Sequence, residues 1–592
     1  MSTITLRPWQ RAAFDLFMNG ARSPADAVRA DGSADVAPDF LAVATPGAGK
    51  TTFALTCARA VLAERNRPLV IVAPTSHLKI QWAQAAHRLG LEVDPFWSPS
   101  DGIAADVHGL VTTYQQIATG TAAKKLATLA SDGFVILDEV HHAGTDKAWG
   151  DSIRVAFTTA YRRLSLSGTP FRSDAAQIPF VRYDATGEGD LAHADFTYGY
   201  ADALRDGGVV RPVYFPRVDG EMEWTNASGD VMSATFQDEL TKDQASMRLR
   251  TALSLEGEWM PAVLSKAVDQ LRAIRRAPVA DGGQPDAGGL VIAMDQDHAQ
   301  GIARLLRDRF GVPADVVVSD DPGASKKIEQ FGGNDRPWLV SVRMVSEGVD
   351  IPRLRVGVFS STTSTELFFR QAIGRFVRWQ AGRASQKAYV YIPDDPRLRA
   401  HAFSIAEARR HVLRPPGHDD DTDDFREDGG LDEQVHPDDE HEQLALFTVV
   451  GAYATGIEMH TVTADGGVLA SDGDATFVPT FELDPPRYDD EPDPPAPFFS
   501  DDATLGVDLP EIPTAAGLVP SGSMSVGERK DELRTRNALV AKRLVDVTGW
   551  SHARVQAEMN RLVGVSRVAT ATNEQLARRL RYSESWLRRL QR

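Results

Sequence analysis

The chain has 592 residues, a hydrophobic fraction of 42% and a single cysteine, Cys57. This length allows three or four domains with packed cores, and one cysteine excludes internal disulfides, a cysteine-rich zinc site and an iron–sulfur cluster. The net charge is −18, no amino-terminal signal or membrane-length apolar run is present, and arginine outnumbers lysine, so we expect a cytoplasmic protein of bacterial or phage origin.

The first motif is a glycine-rich loop between a predicted strand and a predicted helix. Residues 40–44 are an apolar run, residues 44–51 read Ala-Thr-Pro-Gly-Ala-Gly-Lys-Thr, and residues 51–63 are apolar at helical spacing. The two glycines let backbone amides point at a phosphate, and the helix adds the positive end of its dipole. The lysine is expected to reach the β- and γ-phosphates of ATP, and the threonine to bind Mg²⁺. The predicted nucleotide-binding residues of this loop are Pro46, Gly47, Ala48, Gly49, Lys50 and Thr51.

A second motif places two carboxylates at the end of a buried strand. Residues 134–137 are continuously apolar, as in a parallel strand covered on both faces, and Asp138 and Glu139 follow them. Parallel sheets bind their ligands at this carboxyl edge. We expect Asp138 to hold Mg²⁺ and Glu139 to orient and deprotonate an attacking water. Together with the loop, these carboxylates predict a site that hydrolyses ATP.

A second set of strand-like runs predicts a second doubly wound α/β domain. These runs lie at residues 289–294, 315–318, 338–342, 356–359 and 388–392. Helical patterns at 298–310 and 366–378 alternate with them, as in a parallel sheet with crossover helices. Between the two sets, residues 173–285 contain an amphipathic stretch at 259–276, which predicts a helical insertion.

The charge is distributed unevenly along the chain. Residues 419–443 hold 13 Asp or Glu and one Arg, and residues 488–497 are acidic and proline-rich, so both predict a solvated linker. Strand-like runs at 447–450 and 459–463 predict a small β module within the linker, at about 444–481. Residues 525–592 hold 15 Lys or Arg against 7 Asp or Glu, a local net charge of +8. The acidic average therefore hides a basic carboxyl-terminal region.

The basic region has the pattern of three helices. Their predicted apolar positions are Leu533, Val540, Leu544 and Val547 in the first, Val555, Met559 and Leu562 in the second, and Leu576, Leu580, Trp586, Leu587 and Leu590 in the third. Gly549 is placed to end the first helix, Ser551 to cap the second, and Thr572 with Gln575 to form a capping box for the third. This module either binds DNA, docks a protein partner, or braces the rest of the chain.

Six further motifs, in a fixed order, make the chain resemble the DExH-type helicases and translocases of superfamily 2. The motifs are residues 6–10 (Leu-Arg-Pro-Trp-Gln), 73–82, 111–115, 167–170 (Ser-Gly-Thr-Pro), 342–351 and 371–378. The resemblance covers residues 6–394, including the glycine-rich loop and the Asp-Glu-Val-His sequence at 138–141. Within the superfamily, the pattern is most similar to restriction-type helicase subunits and to DNA repair helicases.

The resemblance implies two tandem RecA-like P-loop domains. Together with the patterns described above, the expected fold is α/β, with these two domains, a helical insertion, an acidic linker and a small helical carboxyl-terminal module. The expected segments are 1–172, 173–285, 286–400, 401–524 and 525–592. The resemblance implies ATP and Mg²⁺ as cofactors and these site residues: Gln10, Gly348 and Asp350 for nucleotide, Gln371, Arg375, Arg378 and His141 for catalysis, and Thr75, Thr113 and Arg343 for nucleic acid. Arg375 and Arg378 would be arginine fingers that stabilise charge on the transferring phosphoryl group.

The expected function is that of an ATP-dependent DNA helicase or translocase. Asp-Glu-Val-His and Ser-Gly-Thr-Pro depart from the DEAD-box pattern, which favours DNA over RNA as the partner. Two alternatives remain: the motor subunit of a restriction or defence assembly with a nuclease partner, and a non-unwinding remodeller or RNA helicase. Glu528 and Lys530 have the Glu-x-Lys spacing of metal-dependent nucleases, although no aspartate partner is evident.

Overall fold

The strands and helices of the computed structural model follow the apolar runs of the sequence. The structure describes residues 3–19, 38–100, 102–119, 121–145, 147–168, 172–173, 177–186, 189–225, 229–318, 321, 323–342, 351–383, 386–413, 448–458, 505–508, 525–565 and 567–590. The strands are β1 (Thr3–Leu6), β2 (Asp39–Ala44), β3 (Leu69–Ala73), β4 (Val93–Asp94), β5 (Gly109–Thr113), β6 (Phe134–Leu137), β7 (Arg162–Ser167), β8 (Arg172–Ser173), β9 (Tyr183–Thr186), β10 (Gly189–Ala192), β11 (Phe196–Tyr198), β12 (Val213–Tyr214), β13 (Arg217–Thr225), β14 (Val231–Thr235), β15 (Gly288–Ala293), β16 (Ala314–Val317), β17 (Trp338–Val342), β18 (Leu354–Ser360), β19 (Ala388–Pro393), β20 (Thr448–Glu458) and β21 (Leu505–Asp508). The helices are α1 (Pro8–Asn19), α2 (Lys50–Glu64), α3 (Ser76–Arg88), α4 (Tyr114–Ala118), α5 (Ala122–Leu129), α6 (His142–Thr145), α7 (Lys147–Phe157), α8 (Tyr200–Arg205), α9 (Lys242–Ala252), α10 (Trp259–Arg276), α11 (Gln296–Phe310), α12 (Ala324–Gly332), α13 (Glu366–Ile373), α14 (Pro396–Leu413), α15 (Val526–Thr548), α16 (His552–Arg561) and α17 (Asn573–Leu590).

The chain divides into two compact units. The first comprises Met1–Ala44, Gly49–Tyr198 and Thr504–Arg592, and the second comprises Thr45–Ala48 and Gly199–Ala503. The predicted fold class, two tandem RecA-like α/β domains with a helical insertion and a small helical carboxyl-terminal module, is confirmed. The predicted domain boundaries at residues 172, 285, 400 and 524 stay predictions.

A seven-stranded parallel sheet forms the centre of the first unit. Its order is β11-β2-β7-β6-β3-β5-β4, and every neighbouring pair runs parallel. The inner strands are buried on both faces, which is why they read as continuous apolar runs rather than alternating ones. Because the strands are parallel, the loops after β2, β3, β5, β6 and β7 all leave from one edge of the sheet.

The three predicted carboxyl-terminal helices are present as α15, α16 and α17, and they enclose their own apolar core. Gly549 ends α15 in the left-handed conformation, with φ of 67°, and the Ser551 hydroxyl accepts a hydrogen bond from an amide of α16. Thr572 and Gln575 form the predicted capping box, with hydrogen bonds of 2.9 and 3.2 Å. Two of the apolar positions at helical spacing, Val547 and Leu590, are 44% and 45% exposed near the carboxyl ends of their helices.

The second unit contains the second predicted sheet. Its parallel part has the order β19-β18-β15-β17-β16, which confirms all five strand-like runs predicted between residues 289 and 392. β13 joins this sheet parallel to β19, while β14 and β20 pair antiparallel with β13. The sheet therefore continues beyond its doubly wound part. The added strands β13 and β14 precede that part in the sequence, and β20 follows it.

The predicted insertion helix is α10, and its apolar face is buried in the core of the second unit. The same segment of the chain also supplies β13 and β14, so it is of mixed rather than purely helical structure. β20 begins in the predicted β module but pairs with β13, so it is part of the larger sheet. The acidic stretches 419–443 and 488–497 and the run 459–463 lie outside the described residues. Within the described part of the chain, every helix is too short or too polar to cross a membrane.

Candidate active site

The glycine-rich loop connects β2 to α2 at the carboxyl edge of the first sheet. Gly47 and Gly49 have φ of 82° and 97°, a region that side chains other than glycine rarely adopt. A Cβ atom at Gly49 would lie 2.7 Å from Nε2 of Gln10, so the close approach also requires glycine. Gly49 is the N-cap residue of α2 and has no side chain that could cap the helix. The first-turn amides and the positive end of the helix dipole therefore fit an anionic group such as a phosphate.

Gln10 lies on α1 with its side chain against the glycine-rich loop. It is 3% exposed, its Nε2 donates to the Gly49 carbonyl at 2.9 Å, and its Oε1 accepts from the Arg7 amide at 2.8 Å. These bonds fix the position of the glutamine beside the loop. Its predicted contact with the adenine base stays a prediction.

Glu139 contacts the lysine of the loop. Lys50 Nζ lies 2.9 Å from Glu139 Oε1, and the Gly168 amide donates to Oε2 at 3.0 Å. Glu139 has φ of 46°, a left-handed conformation that costs a residue with a Cβ about 1–2 kcal/mol. This conformation turns the chain sharply after Asp138, and the bonds from Lys50 and Gly168 hold the carboxylate in place.

Opposing effects set the pKa of the Glu139 carboxyl. Burial tends to raise the pKa, but the charges of Lys50 and His141 and the hydrogen bonds from Lys50 and Gly168 lower it to about 2. Glu139 is therefore ionised at neutral pH, as a proton acceptor must be.

Asp138 is in a different environment. Burial, followed by the neighbouring charge of Glu139, raises the pKa of the Asp138 carboxyl to about 6, although Lys50 and a hydrogen bond from Trp82 oppose this. Trp82 Nε1 donates to Asp138 Oδ2 at 2.8 Å, and the Tyr114 hydroxyl donates to the Asp138 carbonyl at 2.9 Å. The other carboxylate oxygen, Oδ1, takes no part in these two bonds, and carboxylate oxygens are among the ligands that Mg²⁺ prefers.

Sequence reasoning did not assign roles to Trp82 and Tyr114. Both residues lie inside motifs that were recognised, at 73–82 and 111–115, and both side chains are buried. Trp82 lies on α3, the helix that follows β3, and Tyr114 directly follows β5, so both come after strands of the same sheet. They fix the orientation of Asp138 from two sides.

His141 connects Glu139 with the end of β7. Its Nδ1 lies 3.4 Å from the Ser167 hydroxyl and 3.7 Å from Glu139 Oε2, and its side chain is 6% exposed. Ser167 and Gly168 belong to the predicted Ser-Gly-Thr-Pro motif, whose Thr169 and Pro170 lie outside the described residues. The motif thus contacts the Glu139 carboxylate through the Gly168 amide, and it contacts His141 through the Ser167 hydroxyl.

The remaining predicted residues of the first unit also lie at this sheet edge. Thr51 is in the first turn of α2, and Thr75 is the N-cap residue of α3, directly after β3. Thr113 ends β5, and its buried hydroxyl accepts from the Gln116 amide at 3.1 Å to cap α4. Three predicted residues lie outside the described part of the chain: Arg343, Gly348 and Asp350.

The predicted catalytic residues Gln371, Arg375 and Arg378 belong to the second unit. Gln371 lies on α13, but the prediction of a helix over 366–378 is wrong at its end, because α13 stops at Ile373. The chain then turns, and Arg378 forms a β-bridge with Val210. The two arginines are therefore presented by a turn and an extended segment instead of by one helix face.

Comparison with known proteins identifies relatives of both the amino-terminal region and most of the chain. The family model "Type III restriction enzyme, res subunit" matches residues 3–172. An uncharacterized protein of Mycobacterium leprae (strain TN) is 42% identical over 464 residues, which cover 78% of this chain and 73% of that protein. An uncharacterized protein of Mycobacterium tuberculosis (strain ATCC 25618 / H37Rv) is 47% identical over 381 residues, covering 64% of this chain, and this chain spans 62% of its length.

Two solved structures show weaker similarity. The ATP-dependent Type ISP restriction-modification enzyme LlaBIII bound to DNA has a TM-score of 0.44 at 14% identity, covering 69% of this chain and 30% of that chain. The Pyrococcus furiosus Hef helicase domain has a TM-score of 0.35 at 16% identity, covering 67% of this chain and 98% of that chain.

Proposed function

Because the chain belongs to the superfamily 2 helicases, we propose that it is an ATP-dependent DNA helicase or translocase, which couples ATP hydrolysis to movement on DNA. One observation carries the proposal: the Lys50 ammonium, the Glu139 carboxylate and the Asp138 carboxylate meet at one sheet edge beside a loop shaped for phosphates. These are the groups that phosphoryl transfer from ATP to water requires.

Each group has a distinct proposed role. The loop amides of residues 46–49 and Lys50 would bind the phosphates. Thr51 and Asp138 would hold Mg²⁺, which would supply positive charge to the phosphate oxygens. Glu139 accepts a proton from the attacking water, because its low pKa keeps it ionised. His141 positions Glu139 through their contact of 3.7 Å.

The motif at residues 371–378 has the proposed role of supplying positive charge. We assign Arg375 and Arg378 as the residues that stabilise charge on the transferring phosphoryl group, with Gln371 linking nucleotide state to domain closure. Gln10 is assigned to the base, and Gly348 and Asp350 to the nucleotide.

DNA is assigned to the ends of the other strands at the same edge. Thr75 and Thr113 follow β3 and β5, and with Arg343 they are the proposed contacts to the nucleic-acid backbone. The preference for DNA over RNA rests on the Asp-Glu-Val-His and Ser-Gly-Thr-Pro sequences and on the match to a restriction-enzyme family.

The test compares the rate of phosphate release from ATP by the purified chain with single-stranded DNA, duplex DNA and RNA. We expect DNA to stimulate hydrolysis more than RNA does. If only RNA stimulated hydrolysis, the enzyme would be RNA-dependent and this proposal would be replaced. If the rate of phosphate release were the same with DNA, with RNA and without nucleic acid, the proposal of a nucleic-acid substrate would be wrong.

A second candidate function is that of the motor subunit in a restriction or defence assembly, which the family match over residues 3–172 favours. Its nuclease would then lie on another chain, because the Glu-x-Lys pair serves a structural purpose. Glu528 caps α15 in a capping box with Ser525, and Lys530 is fully buried in an ion pair. Among the described residues, no cluster of three or more His, Cys, Asp or Glu could hold a metal. Metal-dependent cleavage of plasmid DNA by the purified chain alone would contradict a separate nuclease.

A further inference from the structure

The basic carboxyl-terminal module is attached to the first unit through a buried ion pair. Lys530 Nζ on α15 lies 2.7 Å from Oδ1 of Asp106, and the two side chains are 0% and 3% exposed. The second oxygen of Asp106 accepts the Asn573 amide at the start of α17, also at 2.7 Å. One carboxylate of the first unit therefore holds two helices of the module.

A second buried carboxylate repeats this arrangement at α15. Glu92 Oε2 accepts the Val526 amide at 3.0 Å, in the first turn of the helix. Carboxylates at helix amino termini are stabilised by the helix dipole, and here they come from residues more than 400 positions away in sequence. A Cβ atom at Gly527 would lie 2.8 Å from Pro95 and 2.9 Å from the Val93 carbonyl, so the packing at this contact is close. The module is thus a fixed part of the first unit and not a tail.

The third helix of the module has two chemically different faces. Its inner face is buried, with Leu576, Leu580 and Leu587 in the core of the module. Its outer face, on the opposite side by helical spacing, is exposed and carries Arg578, Arg581, Tyr582, Arg588 and Arg589. Four arginines therefore point away from the core along one helix.

Most of the charge on this face is not paired with a carboxylate of the described residues, although Arg588 Nε donates to the Glu584 carbonyl at 3.3 Å. Arg578 is paired with Glu574 at 3.0 Å. Arg581, Arg588 and Arg589, by contrast, have no carboxylate of the described residues within the 4.0 Å of an ion pair. Exposed arginines are usually solvated, but here three cations and a half-exposed tyrosine lie within about 12 Å of helix, a length that spans several phosphates of one DNA strand.

We infer that the outer face of α17 is a second nucleic-acid contact, which binds the phosphate backbone through Arg581, Arg588 and Arg589 while the Lys530–Asp106 pair fixes it to the first unit. The inference rests on the proposed action on DNA and adds a surface outside the superfamily motifs. The positive charge of the arginines is complementary to the negative charge of the phosphate backbone. The flat, exposed ring of Tyr582 suits stacking on a sugar or base. The surface explains how a chain with a net charge of −18 retains a basic footprint for DNA.

The experiment measures the affinity of the full chain for a labelled DNA duplex between about 50 and 200 mM salt. The variant replaces Arg581, Arg588 and Arg589 together by glutamine. Each lost phosphate contact lowers the slope of log affinity against log salt by about 0.9, so the slope should fall by about 1 to 3. At about 0.1 M salt, each contact corresponds to a roughly eightfold loss of affinity.

A matched control removes the same charge from another exposed helix. Arg304, Arg307 and Arg309 on α11 are also exposed, and two of them are paired with Asp308 and Glu258. Their replacement by glutamine should leave the slope within about half a unit of the parent, and neither triple variant should change the rate of ATP hydrolysis without DNA.

The outcomes separate this inference from the proposed function. If the parent binds DNA but the α17 variant keeps its slope within about half a unit, the inference is wrong and the face is either solvated or binds an acidic protein. An equal fall in the salt slope of the α11 control would also overturn the inference, because the change in DNA binding would then depend on net charge and not on the position of the arginines. If the parent itself does not bind DNA, the proposed function fails and the inference falls with it.

Discussion

Replacing Asp138 by asparagine should stabilise the nucleotide-free protein at alkaline pH. The Asp138 side chain is 9% exposed, and burial together with the charge of Glu139 raises the pKa of its carboxyl to about 6. Because the usual pKa is about 3.9, holding this carboxylate ionised costs at most about 3 kcal/mol at pH 8. An asparagine removes the charge, and its side-chain oxygen still accepts the hydrogen bond from Trp82.

The sign of the effect follows from the direction of the pKa shift. Below pH 4 the aspartate is protonated in both folded and unfolded chains, so the cost is absent. The free-energy cost of holding the Asp138 carboxylate ionised in the folded protein develops as pH rises towards 6, and it is fully present above that value. Glu139 has a lowered pKa of about 2, so its stabilising contribution is lost only as pH falls from about 4.5 towards 2, below the range in which the Asp138 cost develops. Only the difference between the parent and the variant isolates Asp138.

Hydrogen exchange of peptides from β3 and β6, corrected for the intrinsic rate at each pH, measures the stability of the first unit. The variant should be more stable than the parent by up to about 3 kcal/mol at pH 8, and the difference should approach zero near pH 4. Asp151→Asn, at an exposed position on α7, is the control and should change little. Adding Mg²⁺ and ATP should reverse the order, because only the parent holds the metal. A variant that is less stable at pH 8, or a difference that grows towards pH 4, would refute this reasoning.

The other predictions concern turnover and docking. Glu139→Gln should bind a fluorescent ATP analogue normally but release little phosphate, whereas Lys50→Ala should weaken both; near-normal hydrolysis by Glu139→Gln would contradict its role as the base. Arg378→Ala should lower turnover by about 10³-fold with a much smaller loss of nucleotide affinity, and unchanged turnover at saturating DNA would reject the arginine finger. Lys530→Met should destabilise the docked module by about 3–5 kcal/mol, since Asp106 loses its buried cation, and Asp106→Leu added to it should restore part of the loss. Faster hydrogen exchange of α15 and α17 would report this loss, and parent-like exchange in the single variant would show that the pair does not hold the module.

The parts of the site that depend on local sequence could be predicted. The glycine-rich loop needs only a strand, a turn with positive φ and a helix, all of which are encoded within residues 40–64. The position of Asp138 and Glu139 followed from the apolar run before them, because a buried parallel strand must end at the ligand-binding edge.

Contacts between distant residues could not be predicted. The hydrogen bond from Trp82 to Asp138 depends on the order of strands in the sheet, which one sequence does not specify. The left-handed conformation of Glu139 has no signal in residue type, since it is held by Lys50 and Gly168. The buried ion pair of Lys530 could not be predicted, because its partner Asp106 lies 424 residues away in the sequence.

The central claim is that hydrolysis at this sheet edge drives movement on DNA, and strand displacement tests it most directly. The parent chain, Mg²⁺ and ATP are mixed with duplex DNA that carries a labelled displaceable strand, either paired at a fork or bound as a triplex. We predict that the strand is released with ATP, retained with a non-hydrolysable analogue, and retained with Glu139→Gln. DNA-stimulated hydrolysis by the parent without release of either strand would contradict a helicase or translocase.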